Sequence, residues 1–200
     1  MILLNQKTTR KLPTTGALVT PSMHADDTAH KEQGVMIIFE GPDNSGKSTI
    51  AKNYSELINI PYYKNPRERE YKKSGEISLM SKYCMVWLAD FIQQVPVSVI
   101  LDRHYPSEWV YSQVEKREHN ERLLREVDTL FAKRGAKIII CMKDSYEGYT
   151  DETTHASAIP QLVEMYKSFA EWTYTDTLIL NTTNENLHEQ LAKIDWFVRK

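Results

Sequence analysis

The segment Gly41-Pro42-Asp43-Asn44-Ser45-Gly46-Lys47-Ser48 constrains this chain more than any other, because it satisfies the spacing G-x-x-x-x-G-K-[ST] at every fixed position. An apolar run, Val35 to Phe39, precedes it, and a helical pattern from Lys47 to Leu57 follows it. That strand–loop–helix setting lets the spacing work as a phosphate cradle. Glycines allow backbone N–H groups to turn inward around phosphate oxygens, and the helix start adds its positive dipole end. Lys47 supplies a charge for the outer phosphates, and the hydroxyl of Ser48 is of the kind that ligates Mg²⁺. A chain with such a loop is expected to be an α/β protein with parallel strands inside and helices outside.

The rest of the pattern agrees. Val35 to Phe39 is apolar on both faces, as a central parallel strand requires. Further strands are expected at Ile60–Tyr63, Val97–Leu101, Ile138–Met142 and Leu178–Leu180, giving a central parallel five-stranded sheet. Helices are expected between them: a long one over 77–94 carrying Met80, Tyr83, Cys84, Trp87 and Phe91, one carrying Leu123, Val127, Leu130 and Phe131 and ended by Gly135, one restarting at Leu162, Tyr166 and Phe169, and a closing one with Leu187, Leu191, Ile194 and Val198 capped by Asn184. Residues 144–158 are polar, include His155 and read as a short lid. Residues 1–34 lack sustained periodicity and read as a flexible extension to a single domain over 35–200.

Composition narrows the partners. The chain has 200 residues, 25 basic against 27 acidic, for a formal net charge of -2. No basic excess indicates a nucleic acid, so small ligands are expected. No apolar run approaches the roughly eighteen residues that cross a bilayer, and the start lacks a charged-then-apolar secretory pattern, so the expectation is a cytoplasmic protein without a membrane partner. Cys84 and Cys141 are too far apart in sequence for a metal knuckle and read as packing residues. The acidic anchor that commonly accompanies such a loop is expected at the end of a neighbouring strand, and Asp102 after Val97–Leu101 fits it. Ser48 and Asp102 are therefore the candidate metal ligands, and Gly41, Pro42, Asp43, Asn44, Ser45, Gly46, Lys47, Ser48 and Thr49 the candidate ATP-binding residues.

Two longer stretches carry a resemblance. Phe39 to Thr49 resembles the start of thymidylate kinases and related deoxynucleoside monophosphate kinases, which carry an acidic residue within the loop. Asp102-Arg103-His104-Tyr105-Pro106-Ser107-Glu108-Trp109-Val110-Tyr111 resembles their D-R-[YH]-x-x-S-x-x-x-Y segment, and Lys64-Asn65-Pro66 is more weakly similar to their R-E-P segment. The resemblance implies a three-layer P-loop NTPase fold, ATP and Mg²⁺ as cofactors, a small nucleotide as acceptor and a homodimer packed through helices beside the active site. It also implies roles: Arg103 holding the acceptor phosphate, Asp102 positioning Mg²⁺ or its waters, Asp43 reaching the acceptor sugar, and Ser107 and Tyr111 lining the pocket with Lys64. Lys47, Arg103, Asp102 and Asp43 become the candidate catalytic set.

At two places the chain departs from that family. The family presents an aromatic residue and an arginine four positions apart on the long helix to stack on the acceptor base and hydrogen-bond it, and that spacing falls here on Trp87 and Phe91. Phenylalanine cannot make an arginine's hydrogen bonds. The lid over 144–158 has no basic residue, leaving Lys143, Lys167, Arg67 or Arg69 as substitutes for the family's clamp on the transferring phosphate. Three readings follow: phosphorylation of a dTMP-like deoxynucleoside 5′-monophosphate by ATP; the same chemistry on a deoxynucleoside, a modified pyrimidine nucleotide or a modified base in DNA; or a nucleotide-binding module with little catalysis.

Overall fold

The computed structural model describes residues 34–65, 86–91, 94–147, 156–184 and 186–200. The extension as far as residue 33, Arg67 and Arg69, Met80, Tyr83 and Cys84 of the expected long helix, and the centre of the lid with His155 lie outside the described residues. The elements are β1 (Met36–Glu40), α1 (Lys47–Ile58), β2 (Tyr62–Lys64), β3 (Val99–Asp102), α2 (Tyr105–Val114), α3 (Glu121–Lys133), β4 (Lys137–Met142), a 3₁₀ turn at Ala156–Ala158, α4 (Ile159–Trp172), β5 (Asp176–Asn181) and α5 (Leu187–Val198), with residues 86–91 also helical. The five strands form one sheet in the order β2-β3-β1-β4-β5, and every neighbouring pair is parallel.

Strand alternation sorts the sheet into two cores. Met36 and Ile38 of β1, Leu101 of β3 and Ile138, Ile140 and Met142 of β4 pack with Val110, Phe131, Tyr166 and Phe169 from α2, α3 and α4. Ile37, Phe39, Ile100, Ile139 and Cys141 point the other way and pack with Ile50, Ala51 and Tyr54 of α1 and Ile194 of α5. Because β1 is buried throughout, both faces of its run must be apolar. The same period of two decides where the polar residues at the strand ends project. Glu40 follows the parity of Met36 and Ile38, and Asp102 that of Ile100.

Several boundaries differ from the sequence expectation. The second strand is shifted to Tyr62–Lys64, where it pairs in register with Ile100–Asp102. Asp102 belongs to β3 itself and pairs with Phe39. The cap of α5 is Asn186, whose Oδ1 accepts from the Glu189 N–H at 3.0 Å, so the helix starts two residues beyond the expected Asn184. Helix α2 was not anticipated, although Pro106 in its first turn and buried Tyr105, Trp109 and Val110 supply both signals. Among the described residues no helix is long and apolar enough to cross a membrane.

A buried carboxylate ties α2, α3 and the end of α4 together. Asp128 accepts from Tyr105 Oη at 2.7 Å, from the Thr173 hydroxyl and from the Tyr174 N–H at 2.9 Å. Arg125 lies 3.4 Å from the same carboxylate, with its guanidinium carbon 3.5 Å from the Trp172 ring centroid and 4.5 Å from that of Tyr174. Removing the carboxylate would strand several buried donors and one partly buried cation. Asp128→Ala is expected to lower stability by about 3–5 kcal/mol in urea unfolding, the cost typical of breaking a buried pair from one side. A loss below about 1 kcal/mol would show that the network contributes little.

Candidate active site

The site grows from the carboxyl ends of β1 and β3, the end of an open parallel sheet at which ligands bind when the strand order reverses direction. Gly41 leaves β1 with φ of 134°, and a Cβ there would sit 2.1 Å from the Cys141 carbonyl oxygen, so no side chain fits. The loop returns to α1 through Gly46 at φ of 81°. Thr49 and Ile50 donate their backbone N–H groups to the Gly46 carbonyl, both at 3.1 Å, and close the first turn. Thr182, just past β5, ties the loop down by donating its hydroxyl to the Ser45 carbonyl at 2.8 Å.

The end of β3 divides the charges. Asp102 projects towards α1 and accepts from Ser48 Oγ and from Tyr62 Oη, each at 2.6 Å, with Lys64 Nζ at 3.8 Å. Burial, then the Asp102 hydrogen bond, pushes the Tyr62 phenol above its ordinary value. Arg103 projects to the opposite face. Its backbone takes a left-handed φ of 69°, a conformation that costs a non-glycine residue about 1–3 kcal/mol and must be held by its surroundings. The guanidinium donates to Asp43 Oδ1 at 2.6 Å, Ser107 Oγ at 3.0 Å and Tyr166 Oη at 3.1 Å, and lies over the Tyr111 ring at 5.2 Å.

Glu40 sits behind it, fully buried, with Oε2 3.9 Å from the guanidinium. Burial raises its carboxyl above the ordinary range against the pull of Arg103 and of the Ser107 hydrogen bond. Lys47 is buried too, 3.3 Å from the Pro42 carbonyl and 3.5 Å from Asp43 Oδ1. Its ammonium falls to about 8, first from burial and second from the Arg103 charge, with Asp43 and Asp102 opposing. His104 between these groups is no acid–base candidate. Burial among Tyr105 and Phe131 lowers its ring to about 3 and keeps it neutral.

The arrangement suits a polyphosphate with a divalent cation. Ser45 Oγ and Asp102 Oδ1 are buried polar atoms without a hydrogen-bond partner among the described residues, so both have unused capacity. Ser48 and Asp102, already in contact, supply the hard oxygen ligands that Mg²⁺ takes.

Two neighbouring clusters thus hold these candidates: Asp43, Lys47, Arg103, Ser107 and Tyr111 in one, and Ser48, Lys64 and Asp102 in the other. Trp87 and Phe91 are placed differently. They stack on each other with centroids 5.4 Å apart, Phe91 packs against the α2–α3–α4 core, and Trp87, 65% exposed, lines an apolar groove with Leu123, Val127 and Leu130 of α3. Sequence reasoning overlooked Glu40, Tyr62 and Tyr166 as members of the site. The signal for Glu40 was present: an acid closing a strand of buried apolar residues, on the parity of Met36 and Ile38.

No protein-family model matches the chain, and no curated protein sequence matches it significantly. Solved structures do match. The YorR protein of Bacillus subtilis, solved with phosphorylated GDP, is 24% identical over 82% of this chain and 96% of its own, with a TM-score of 0.65. Thymidylate kinase from Candida albicans is 19% identical over 84% and 92%, with a TM-score of 0.60. Deoxyadenosine kinase from M. mycoides, solved with dCMP and dCDP, is 16% identical over 82% and 98%, with a TM-score of 0.52. The fold is therefore that of the P-loop kinases. Within that class it is the architecture found in thymidylate and deoxyadenosine kinases.

The Lys47 environment makes a pH prediction. A polyphosphate needs the ammonium charged, so affinity for a non-hydrolysable ATP analogue, measured by calorimetry, should fall as pH rises through about 8. The limit is about tenfold per pH unit, one proton being taken up on binding. Lys47→Met should bind weakly with no such slope. Between about 8 and 10.5 the unfolded chain holds this proton more tightly than the folded one, so the Lys47 contribution to stability rises with pH and unfolding would not mimic the effect. Affinity constant from pH 7 to 9.5 would contradict the placement.

Proposed function

We propose that this chain is a nucleotide kinase that transfers the terminal phosphoryl group of ATP to a deoxynucleoside 5′-monophosphate, dTMP-like in class, giving the diphosphate and ADP. The observation that carries the reading is the position of Arg103. Its guanidinium is held between Asp43 of the phosphate loop and the hydroxyls of Ser107 and Tyr166, so one planar cation borders both the loop and the helix that follows β3. A guanidinium can pair with oxygens of two phosphates at once, and spreading charge over a transferring phosphoryl group is the main task of such a site.

In this scheme an acceptor phosphate oxygen forms a bond to the γ-phosphorus as the bond to the β–γ bridging oxygen breaks, and ADP leaves with that electron pair. Lys47 and the loop N–H groups hold the donor phosphates. Arg103 holds the acceptor phosphate and offsets charge between the two reactants, while Asp43 fixes the guanidinium and borders the acceptor. Ser48 and Asp102 would hold Mg²⁺, which supplies charge neutralisation on the phosphate oxygens. Ser107, Tyr111 and Lys64 complete the acceptor side. The cytoplasmic setting expected from the sequence suits an enzyme of soluble nucleotides.

A second reading keeps the chemistry and changes the acceptor to a deoxynucleoside or a modified pyrimidine. Trp87 and Phe91 favour it. They stack on each other, and Phe91, where the family places an arginine, offers no hydrogen bond to a base.

An acceptor panel separates the readings. With ATP and Mg²⁺, one or more deoxynucleoside monophosphates should be converted to the diphosphate, and Arg103→Ala should reduce turnover at least about a hundredfold, the scale of losing one transition-state charge contact. Binding of the ATP analogue should change only a few-fold. Turnover confined to deoxynucleosides or DNA would favour the second reading, and nucleotide binding without turnover on any acceptor would overturn both.

A further inference from the structure

Glu40 has no role in the scheme above, yet it touches two of the side chains that hold Arg103, Ser107 and Tyr166. The Oε1 atom accepts from the His104 N–H at 2.7 Å and from the Ser107 N–H at 3.3 Å. These donors belong to the first turn of α2, which has no side-chain cap of its own. A strand residue thus caps a helix from across the sheet, and the cap immediately follows the left-handed Arg103. Oε2 accepts from Ser107 Oγ at 2.7 Å and from Tyr166 Oη at 3.1 Å. The same two hydroxyl oxygens are the acceptors for Arg103 Nη1, at 3.0 and 3.1 Å.

The proton count makes this arrangement directional. Each hydroxyl has one proton, and a carboxylate can only accept. Ser107 and Tyr166 must therefore aim their protons at Glu40, which leaves their lone pairs for Arg103, itself only a donor. We propose that Glu40 is the positioning residue for Arg103, a buried carboxylate that sets the hydroxyl orientations of Ser107 and Tyr166 and so fixes the guanidinium beside the phosphate loop. Its role in turnover rests on the kinase reading; its effect on Arg103 does not.

Glu40→Gln tests it with nearly unchanged shape. The two backbone N–H groups require the amide oxygen, so the amide NH₂ faces the two hydroxyls and becomes a donor to them. Each hydroxyl then accepts from the amide and loses the acceptor that aimed its proton away from Arg103 Nη1, and the negative charge behind the guanidinium is gone, so two of the contacts that seat Arg103 loosen. Turnover should fall about 10–100-fold, as when an outer partner of a functional group is removed, with ATP-analogue affinity within about threefold of wild type. The Arg103 Nε–Hε resonance, assigned by its loss in Arg103→Lys, should be protected from exchange in the wild type and averaged into the exposed arginines in Glu40→Gln.

Should Glu40→Gln not fold, the Ser107→Ala/Tyr166→Phe double variant removes the relay while keeping the carboxylate, and should release the same resonance. Where all variants fold, adding Glu40→Gln to that double variant should cost less than about threefold more, because both changes break one path. A protected Arg103 signal in either variant, no protected signal in the wild type, or losses that add independently would overturn the proposal. Absence of wild-type turnover on every acceptor would instead defeat the kinase reading, and the resonance would still decide the role of Glu40.

Discussion

The site depends on placing opposite charges out of water at the ends of two adjacent parallel strands. Glu40 and Asp102 are almost wholly buried, and Arg103 and Lys47 are nearly so. An isolated carboxylate or ammonium in that position would be prohibitively costly, so each charge requires the others. The shifts of Glu40 upward and Lys47 downward report the remaining mismatch between burial and pairing. Groups held in this way respond strongly when a polyanion arrives, because few water molecules screen them.

The sheet makes the separation possible. Asp102 ends β3 facing α1, and Arg103, just beyond the strand in a left-handed conformation, turns to the α2 and α4 side, which keeps a candidate cation ligand and a guanidinium from neutralising each other although they are adjacent in sequence. Register does the rest. Pairing of Phe39 with Asp102 and of Lys64 with Asp102 brings the ends of β1, β2 and β3 level, and the Arg103 N–H completes the ladder on the Phe39 carbonyl at 3.0 Å. A slip by one residue would move Asp102 to the opposite face of the sheet, away from Ser48.

Much of the remaining structure supports this alignment. The Asp128 network locks α2 against α3 and the end of α4, and α4 delivers Tyr166 to the guanidinium. Thr182 holds the phosphate loop against the end of β4 through the Ser45 and Met142 carbonyls. Each tether lies far along the chain from what it holds, which is why single-residue inspection passed over Tyr166 while finding Lys47 and Ser48.

The sequence by itself determined the α/β class, the five strands and the phosphate loop, and it named Ser48 and Asp102 as candidates, because apolar periodicity and glycine-dependent loop geometry are local properties of the chain. It also marked Arg103, through a segment whose spacing is legible without a structure. Tertiary structure decided the rest. Which side of the sheet each strand-end charge takes, the capping of α2 by Glu40, and the stacking of Trp87 on Phe91 outside the Arg103 network follow from register and packing between distant segments. The physical reason is range. A motif records what backbone geometry needs within a few residues, whereas the environment of a buried charge is assembled from strands and helices more than a hundred residues apart, as with Glu40 and Tyr166.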